Sequence, residues 1–284
     1  MTSVDLPIRA RFHRAFWGLK DTALRIAGRL GHERGGDRLA VQHLREASAQ
    51  DGRLTNDVLN SMRAQQSHAA NKNLAKRLAL AIRPGDLDRP LSDMPMQHKA
   101  AKLLEDALGR HRISSIANIG ARVDLVSAYL APRFPSVKFT SVDFQDDLAV
   151  SNAPLGLATN WHFVSGYALD LLGSGAIKPE GIIMTSTSVL MNNRELDEFF
   201  ATLSSVKLLV LNEAWWPFPH RLDFWKVHTP EDVPEGRPVV GGRHNNYHHN
   251  YPEKLTRHGF QIEVSRIVPG SEAGACAYQV VATR

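Results

Sequence analysis

The sequence predicts an α/β protein: a mostly parallel sheet that ends in an antiparallel hairpin, preceded by an all-α N-terminal region. Three observations carry this. From Ile113 onward, short apolar runs alternate with helical patterns, as they do in parallel sheets covered by helices on both faces. The last two runs, "GFQIEVSRIV" and "CAYQVVATR", are joined only by "PGSEAGA", which has no room for a crossover helix, so they pair antiparallel. Before Ile113 the pattern is helical and poor in strands. The boundary falls near residue 110, with a helical cap or oligomerisation region over 1–110 and the sheet domain over 111–284.

The first thirty residues hold Arg9, Arg11, Arg14, Lys20, Arg25 and Arg29 against Asp5 and Asp21. Ile8, Phe12, Phe16, Leu19, Ala23, Ile26 and Leu30 recur at the three-four spacing of an amphipathic helix. Such a helix packs on its own domain or on a second subunit, giving a homodimer, or lies on an anionic membrane surface. Arg9, Arg11 and Arg14 interrupt the stretch where a signal peptide's apolar core would run. Beyond Asp37, "LAVQHLREASA", "LTNDVLNSMRAQQ", "NKNLAKRLALAI" and "MQHKAAKLLEDALGRH" read as helices between breakers at Asp51-Gly52 and Pro84-Gly85.

In the sheet region the order is "ISSIANI" as a strand, "VDLVSAYLAPRF" as a helix, "VKFTSVDF" as a second strand, "WHFVSG" as a third and "GIIMTSTS" as a fourth. "RELDEFFATLSS" is a helix and "VKLLVLNE" the fifth strand, before the final pair. The charge of +5 mildly favours anionic partners, but the basic residues gather in one helix and no nucleic-acid stacking platform accompanies them, so no nucleic acid is expected. The single cysteine, Cys276, excludes an internal disulfide and fits a reducing cytoplasm. No run approaches the roughly 20 apolar residues of a membrane-spanning helix.

The turns between these elements carry the chemistry. "NIGARVD" follows the first strand, with Gly120 able to admit a ligand against bare backbone. Asp143 closes the second strand, 23 residues after Gly120, at the spacing of an acid that accepts ribose hydroxyls. "SGYALDLL" follows the third strand and "TSTSVLMNN" the fourth. In order and spacing, this region resembles the class I S-adenosylmethionine-dependent methyltransferases, whose Rossmann-like seven-stranded sheet ends in such a hairpin. The resemblance covers about the last 170 residues. Against the family's first motif, Asn118 stands at the acid, Gly120 keeps the first glycine, and Arg122 and Asp124 replace the later two. Tyr167 replaces the acid of the third motif, and Asn192 stands at a position that is often histidine.

The resemblance implies S-adenosyl-L-methionine as cofactor and methyl transfer to a small-molecule acceptor, on oxygen or nitrogen. It implies a cofactor site at Asn118, Gly120, Ala121, Asp143, Phe144, Gly166, Tyr167, Ala168 and Ser186. The peptide groups after Gly120 are expected to meet the methionine moiety. A nicotinamide enzyme, which would need the full G-x-G-x-x-G for its diphosphate, is disfavoured by Arg122 and Asp124. The alternative is a catalytically inactive member of the fold, serving as an interaction or membrane-surface module.

The acceptor side is expected in the long segment after the fifth strand, rich in aromatic residues and histidines. Trp215, Trp216, His248 and Tyr251 are the expected substrate contacts. His249, in "HNYP", is the expected base if the acceptor must lose a proton. No metal is expected: "HNNYHH" lacks cysteines and has few acids near it.

Overall fold

The computed structural model of the chain describes residues 68–80, 94–215, 238–239, 246–269 and 276–284. The amphipathic stretch at residues 1–30, and Trp216 with most of the segment after it, lie outside the described residues.

Seven strands form one sheet: β1 (Ser115–Ile119), β2 (Lys138–Asp143), β3 (Trp161–Ser165), β4 (Gly181–Thr185), β5 (Leu208–Trp215), and the final pair, β8 (Gln261–Pro269) and β9 (Cys276–Thr283). The order across the sheet is β3-β2-β1-β4-β5-β9-β8. The first five strands run parallel, while β9 lies antiparallel to both β5 and β8. A separate two-stranded piece joins β6 (Pro238–Val239) to β7 (Asn246–Tyr247).

Strand period explains why the sheet is buried on both faces. Successive side chains point to opposite sides. On β5, Leu209 and Leu211 enter one core and Leu208 and Val210 the other. On β4, Ile182 and Met184 divide from Ile183 in the same way. Such strands read as continuous apolar runs because neither side faces water.

Helices fill both layers. On one side, α2 (Pro95–Arg110) packs through Ala100, Leu104 and Ala107 beside Val126 and Leu130 of α3 (Leu125–Leu130). Thus the last helix before residue 111 shares a core with Ile116 and Phe139 of the sheet. The Asn212 amide of β5 also donates to the Met96 carbonyl at 2.9 Å. On the other side, α5 (Ala168–Gly173), α6 (Asn193–Ala201) and α7 (Tyr251–Arg257) cover the sheet through Leu169, Phe199, Phe200 and Leu255. Lys254 of α7 is fully buried and pairs with Asp197 of α6 at 2.9 Å.

Helix α1 (His68–Ala79) makes a smaller third cluster, in which Ala75 and Leu78 meet Val123 and Leu125 just after β1. It sits beside α4 (Leu148–Asn152), the short helix after β2. Among the described residues no helix is long and apolar enough to cross a membrane.

Candidate cofactor cleft

The carboxyl ends of β1 to β4 surround an open cleft of about 500 Å³, counted with the solvent at its mouth, within the range of small-molecule sites. Gly120, Asp143, Phe144, Gly166, Tyr167 and Ala168 line it, as expected from the turns that hold them. Thr187, Leu190 and Met191 form the opposing wall. These three were missed as individual residues, although the segment "TSTSVLMNN" that carries them stood out as a post-strand turn.

The turn after β1 is stitched to β2. The amides of Gly120 and Ala121 donate to the Val142 carbonyl at 2.8 and 3.1 Å, and that of Arg122 donates to Asp143 Oδ2 at 3.0 Å. This corrects the expectation for these peptide groups: they are spent on the neighbouring strand and are not left for a ligand. Ala121 is accordingly buried and does not border the cleft.

Gly120 has a φ of +72°, and a Cβ there would stand 2.3 Å from Thr187 Oγ1. The glycine is therefore required twice, by the left-handed backbone and by the threonine that leans over it. The Thr187 hydroxyl lies 3.2 and 3.1 Å from the Ile119 and Thr185 carbonyls, which hold it in place. Arg122 and Ser186, at the ends of β1 and β4, also have positive φ, +45° and +52°. Strained non-glycine residues on two adjacent strand ends mark a place where shape is imposed by the surrounding structure.

Asn118 does not reach the cleft. Its amide donates to Asp124 Oδ1 at 2.8 Å, and Asp124 also accepts from the Ser127 amide at 2.8 Å and the Ser141 hydroxyl at 2.5 Å. Asp124 is fully buried and caps the N-terminus of α3. Burial pushes its carboxyl above the ordinary range against these three donated bonds. Ser186 likewise stays outside the cleft lining, its amide bonded to the Asn212 carbonyl at 3.2 Å.

Asp143 does reach the cleft. Its Oδ1 accepts from the Gln145 amide and its Oδ2 from the Arg122 amide, each at 3.0 Å. A carboxylate has about four lone-pair sites, so the group keeps acceptor capacity for a further donor. Burial raises its pKa above the ordinary value, and the Gln145, Arg122 and Phe144 amides and the Arg122 charge oppose this. The Arg122 side chain itself turns to α1, donating to Asn71 Oδ1 at 3.1 Å. Asn71 in turn donates to Gln145, and Gln145 to Ser151, so α1 is tied to the turns after both β1 and β2. Tyr167 borders the cleft with its ring, while its hydroxyl donates to Glu195 on α6.

The residues expected on the acceptor side are gathered behind the Thr187–Met191 wall, not in the cleft lining. Trp215 stacks on His248 with ring centroids 4.1 Å apart, and Tyr251 packs against Tyr278. His249 Nε2 lies 3.0 Å from the Met191 carbonyl. Because a carbonyl only accepts, that nitrogen carries a hydrogen and cannot take one. All four side chains are buried, so this geometry uses them to hold the wall. Among the described residues no group of three or more His, Cys, Asp or Glu side chains could hold a metal ion.

A sheet ordered 3-2-1-4-5 and closed by an antiparallel pair, with a glycine turn after β1 and an acid ending β2, is the fold of class I S-adenosylmethionine-dependent methyltransferases. No family model and no curated protein sequence matches the chain. Solved structures do. The 1,6-didemethyltoxoflavin-N1-methyltransferase of Burkholderia thailandensis, crystallised with 1,6-didemethyltoxoflavin and S-adenosylhomocysteine, is 17% identical with a TM-score of 0.51. That match covers 76% of this chain and 88% of the other. Human N-acetylserotonin methyltransferase, in complex with S-adenosylmethionine, is 10% identical over 86% of this chain and 66% of its own, with a TM-score of 0.51. An O-methyltransferase family protein from Burkholderia thailandensis is 15% identical over 79% of this chain and 62% of its own, again at 0.51. At these identities the likeness is one of fold.

Proposed function

We propose that the chain is an S-adenosylmethionine-dependent methyltransferase acting on a small-molecule acceptor. The observation that carries this is Asp143. It stands in the cleft at the end of β2, opposite the Gly120 turn, with one backbone amide on each carboxylate oxygen. The spare lone pairs suit a vicinal diol such as a ribose. Phe144, Ala168 and Leu190 supply apolar surface on which a purine packs, and Tyr167 adds an aromatic face.

The capped helix argues against a dinucleotide. A diphosphate on this turn would need free amides and a positive helix end. The three amides are taken by β2, and the N-terminus of α3 already holds the Asp124 carboxylate. S-adenosylmethionine carries no phosphate and supplies an electrophilic methyl group on a sulfonium.

Methyl transfer is an in-line displacement, in which positioning supplies most of the catalysis. Asp143 would fix the ribose end, while Gly120 and Thr187 shape the floor nearest the β1 end. The acceptor would enter along the carboxyl ends of β4 and β5, where the Thr187–Met191 wall stands and the chain continues past Trp215 into Trp216, Phe218, Phe224 and Trp225. An acceptor that is already a nucleophile needs no base, which agrees with a cleft lined by apolar side chains, Asp143, Tyr167 and Thr187.

Titration calorimetry with S-adenosylmethionine and S-adenosylhomocysteine tests the reading directly. Micromolar or tighter binding of both is expected, and NADH should not compete. Failure of both ligands to bind the folded protein would remove the cofactor assignment and leave an interaction module on this fold.

A further inference from the structure

The two oxygens of Asp143 belong to a closed ring of hydrogen bonds. Oδ2 takes the Arg122 amide and Oδ1 the Gln145 amide, each at 3.0 Å. The side chains of those same two residues meet on one residue of α1. Arg122 Nε donates to Asn71 Oδ1 at 3.1 Å, and Asn71 Nδ2 donates to Gln145 Oε1 at 2.8 Å. Asn71 is fully buried and does not border the cleft.

We propose that Asn71 is a positioning residue for Asp143, so that a side chain from the helical region before residue 111 sets the carboxylate of the cleft. The inference rests on the cofactor reading only for what Asp143 binds; the hold on Asp143 stands on the ring itself. Arg122 can only donate and Gln145 Oε1 can only accept. The joint between them therefore needs an acceptor and a donor side by side, which a side-chain amide supplies. Both halves of the ring depend on it. Arg122 has a φ of +45°, which a non-glycine residue keeps only where its surroundings impose it. Its carbonyl accepts from Asn152 at 2.8 Å and its side chain is held by Asn71, and between these two ties its amide is aimed at Oδ2. Gln145 is buried, with Nε2 donating to Ser151 Oγ at 2.7 Å and its carbonyl accepting from the Ser165 hydroxyl at 2.5 Å. Without Asn71 its Oε1 would be a buried acceptor that has lost its donor, and the turn after β2 would have to rearrange to satisfy it. The carboxylate then loses the fixed direction in which it meets a ligand diol. Affinity falls although no group that touches the ligand has been removed.

The test uses the full-length protein. Without ligand, amide exchange is read residue by residue by NMR in wild type and Asn71→Ala. The Arg122 and Gln145 amides should exchange about tenfold faster in the variant, while the Gly120 amide, bonded to Val142, keeps its protection. With ligand, S-adenosylhomocysteine affinity is measured by calorimetry in Asn71→Ala, Asp143→Asn and the double variant. Asn71→Ala should bind about tenfold more weakly than wild type, yet cost less than about twofold in the Asp143→Asn background. Leu78→Ala, which weakens the seat of α1 without entering the ring, should lower the melting temperature and leave affinity near wild type. Unchanged exchange at Arg122 and Gln145, equal acceleration at Gly120, or additive losses in the cycle overturns the proposal. An equal loss of affinity in Leu78→Ala also overturns it, because the docked helix and not Asn71 would then be responsible. If Asn71→Ala does not fold, Gln145→Met opens the ring on its other side and decides by Arg122 amide exchange and by its coupling to Asp143. If the exchange pattern holds but S-adenosylhomocysteine does not bind wild type, the cofactor reading fails and the positioning role survives.

Discussion

The Asn118 amide donates to the Asp124 carboxylate across 2.8 Å, and this bond joins two of the three departures from the usual first-motif pattern, the third being Arg122. An acid is missing on the strand and a glycine is missing after the turn, yet the acid has reappeared six residues on as the cap of α3. There Asp124 joins β1, β2 and α3 through Asn118, Ser141 and Ser127, while its own amide is taken by Asn152. Asp124→Ala would leave buried donors without acceptors and remove the cap. It should cost about 3 kcal/mol or more, and Asp124→Asn less. Chemical denaturation of the two variants measures the difference, and near-wild-type stability in the alanine variant would contradict the network.

Asp143→Asn keeps one acceptor for the Arg122 or Gln145 amide but loses the charge toward the cleft. S-adenosylhomocysteine affinity should fall by about 1.5–3 kcal/mol, with a smaller change in stability. Calorimetry with a thermal melt as control separates the two effects. Unchanged affinity would remove Asp143 from the ribose site.

Gly120→Ala meets two penalties at once, the left-handed backbone and the Thr187 side chain 2.3 Å from the added carbon. The first alone costs on the order of 1–2 kcal/mol. Adding Thr187→Ala removes Oγ1 and Cγ2 and should restore part of the loss, giving a positive coupling in a double-mutant cycle. Additive effects would mean that the threonine moves away freely.

Arg122→Gly relieves a positive φ of 45° and breaks the bond from Arg122 to Asn71. Each effect is about 1 kcal/mol and they oppose each other, so global stability should stay within about 1 kcal/mol of wild type. The exchange rate of His68–Ala79 amides should nonetheless rise, because α1 loses its tie to the turn. Unaltered exchange there would show that the apolar contacts of Leu78 and Ala75 hold the helix alone.

Stability should fall as pH rises from about 4.5 to about 7. In that window the unfolded chain has released the Glu213 proton while the folded protein retains it, so folding becomes less favourable until pH passes about 7. For this residue the loss is roughly 2–4 kcal/mol. Asp124 and Asp143, also raised by burial, act in the same direction from lower pH. Glu180 differs: its exposed pair with Lys207 and its bonds from Ser114 hold it at about 2, so it loses stability only in acid. Glu213→Gln should flatten the slope between pH 5 and 7, and an unaltered slope would place the titration elsewhere.

The sequence by itself determined the sheet and the position of the cleft. Apolar runs at Ile116–Ile119, Ile182–Met184 and Leu208–Leu211 had to be buried strands, and a seven-residue joint before Cys276 left only an antiparallel return. Gly120, Asp143 and Gly166 were legible because strand ends in such a sheet converge, so turn residues there share one site. What the partners of each polar group are was decided only by the tertiary structure. Asn118, Ala121 and Ser186 stand at the right positions in the chain but spend their hydrogen bonds on Asp124, Val142 and Asn212. His248, His249 and Tyr251 read as surface chemistry because histidines in a polar segment usually are. Their burial follows from α7 folding back beneath the Thr187–Met191 wall, a long-range contact that local pattern does not encode. Which groups face a ligand is settled by what remains after the fold has satisfied its own buried donors and acceptors.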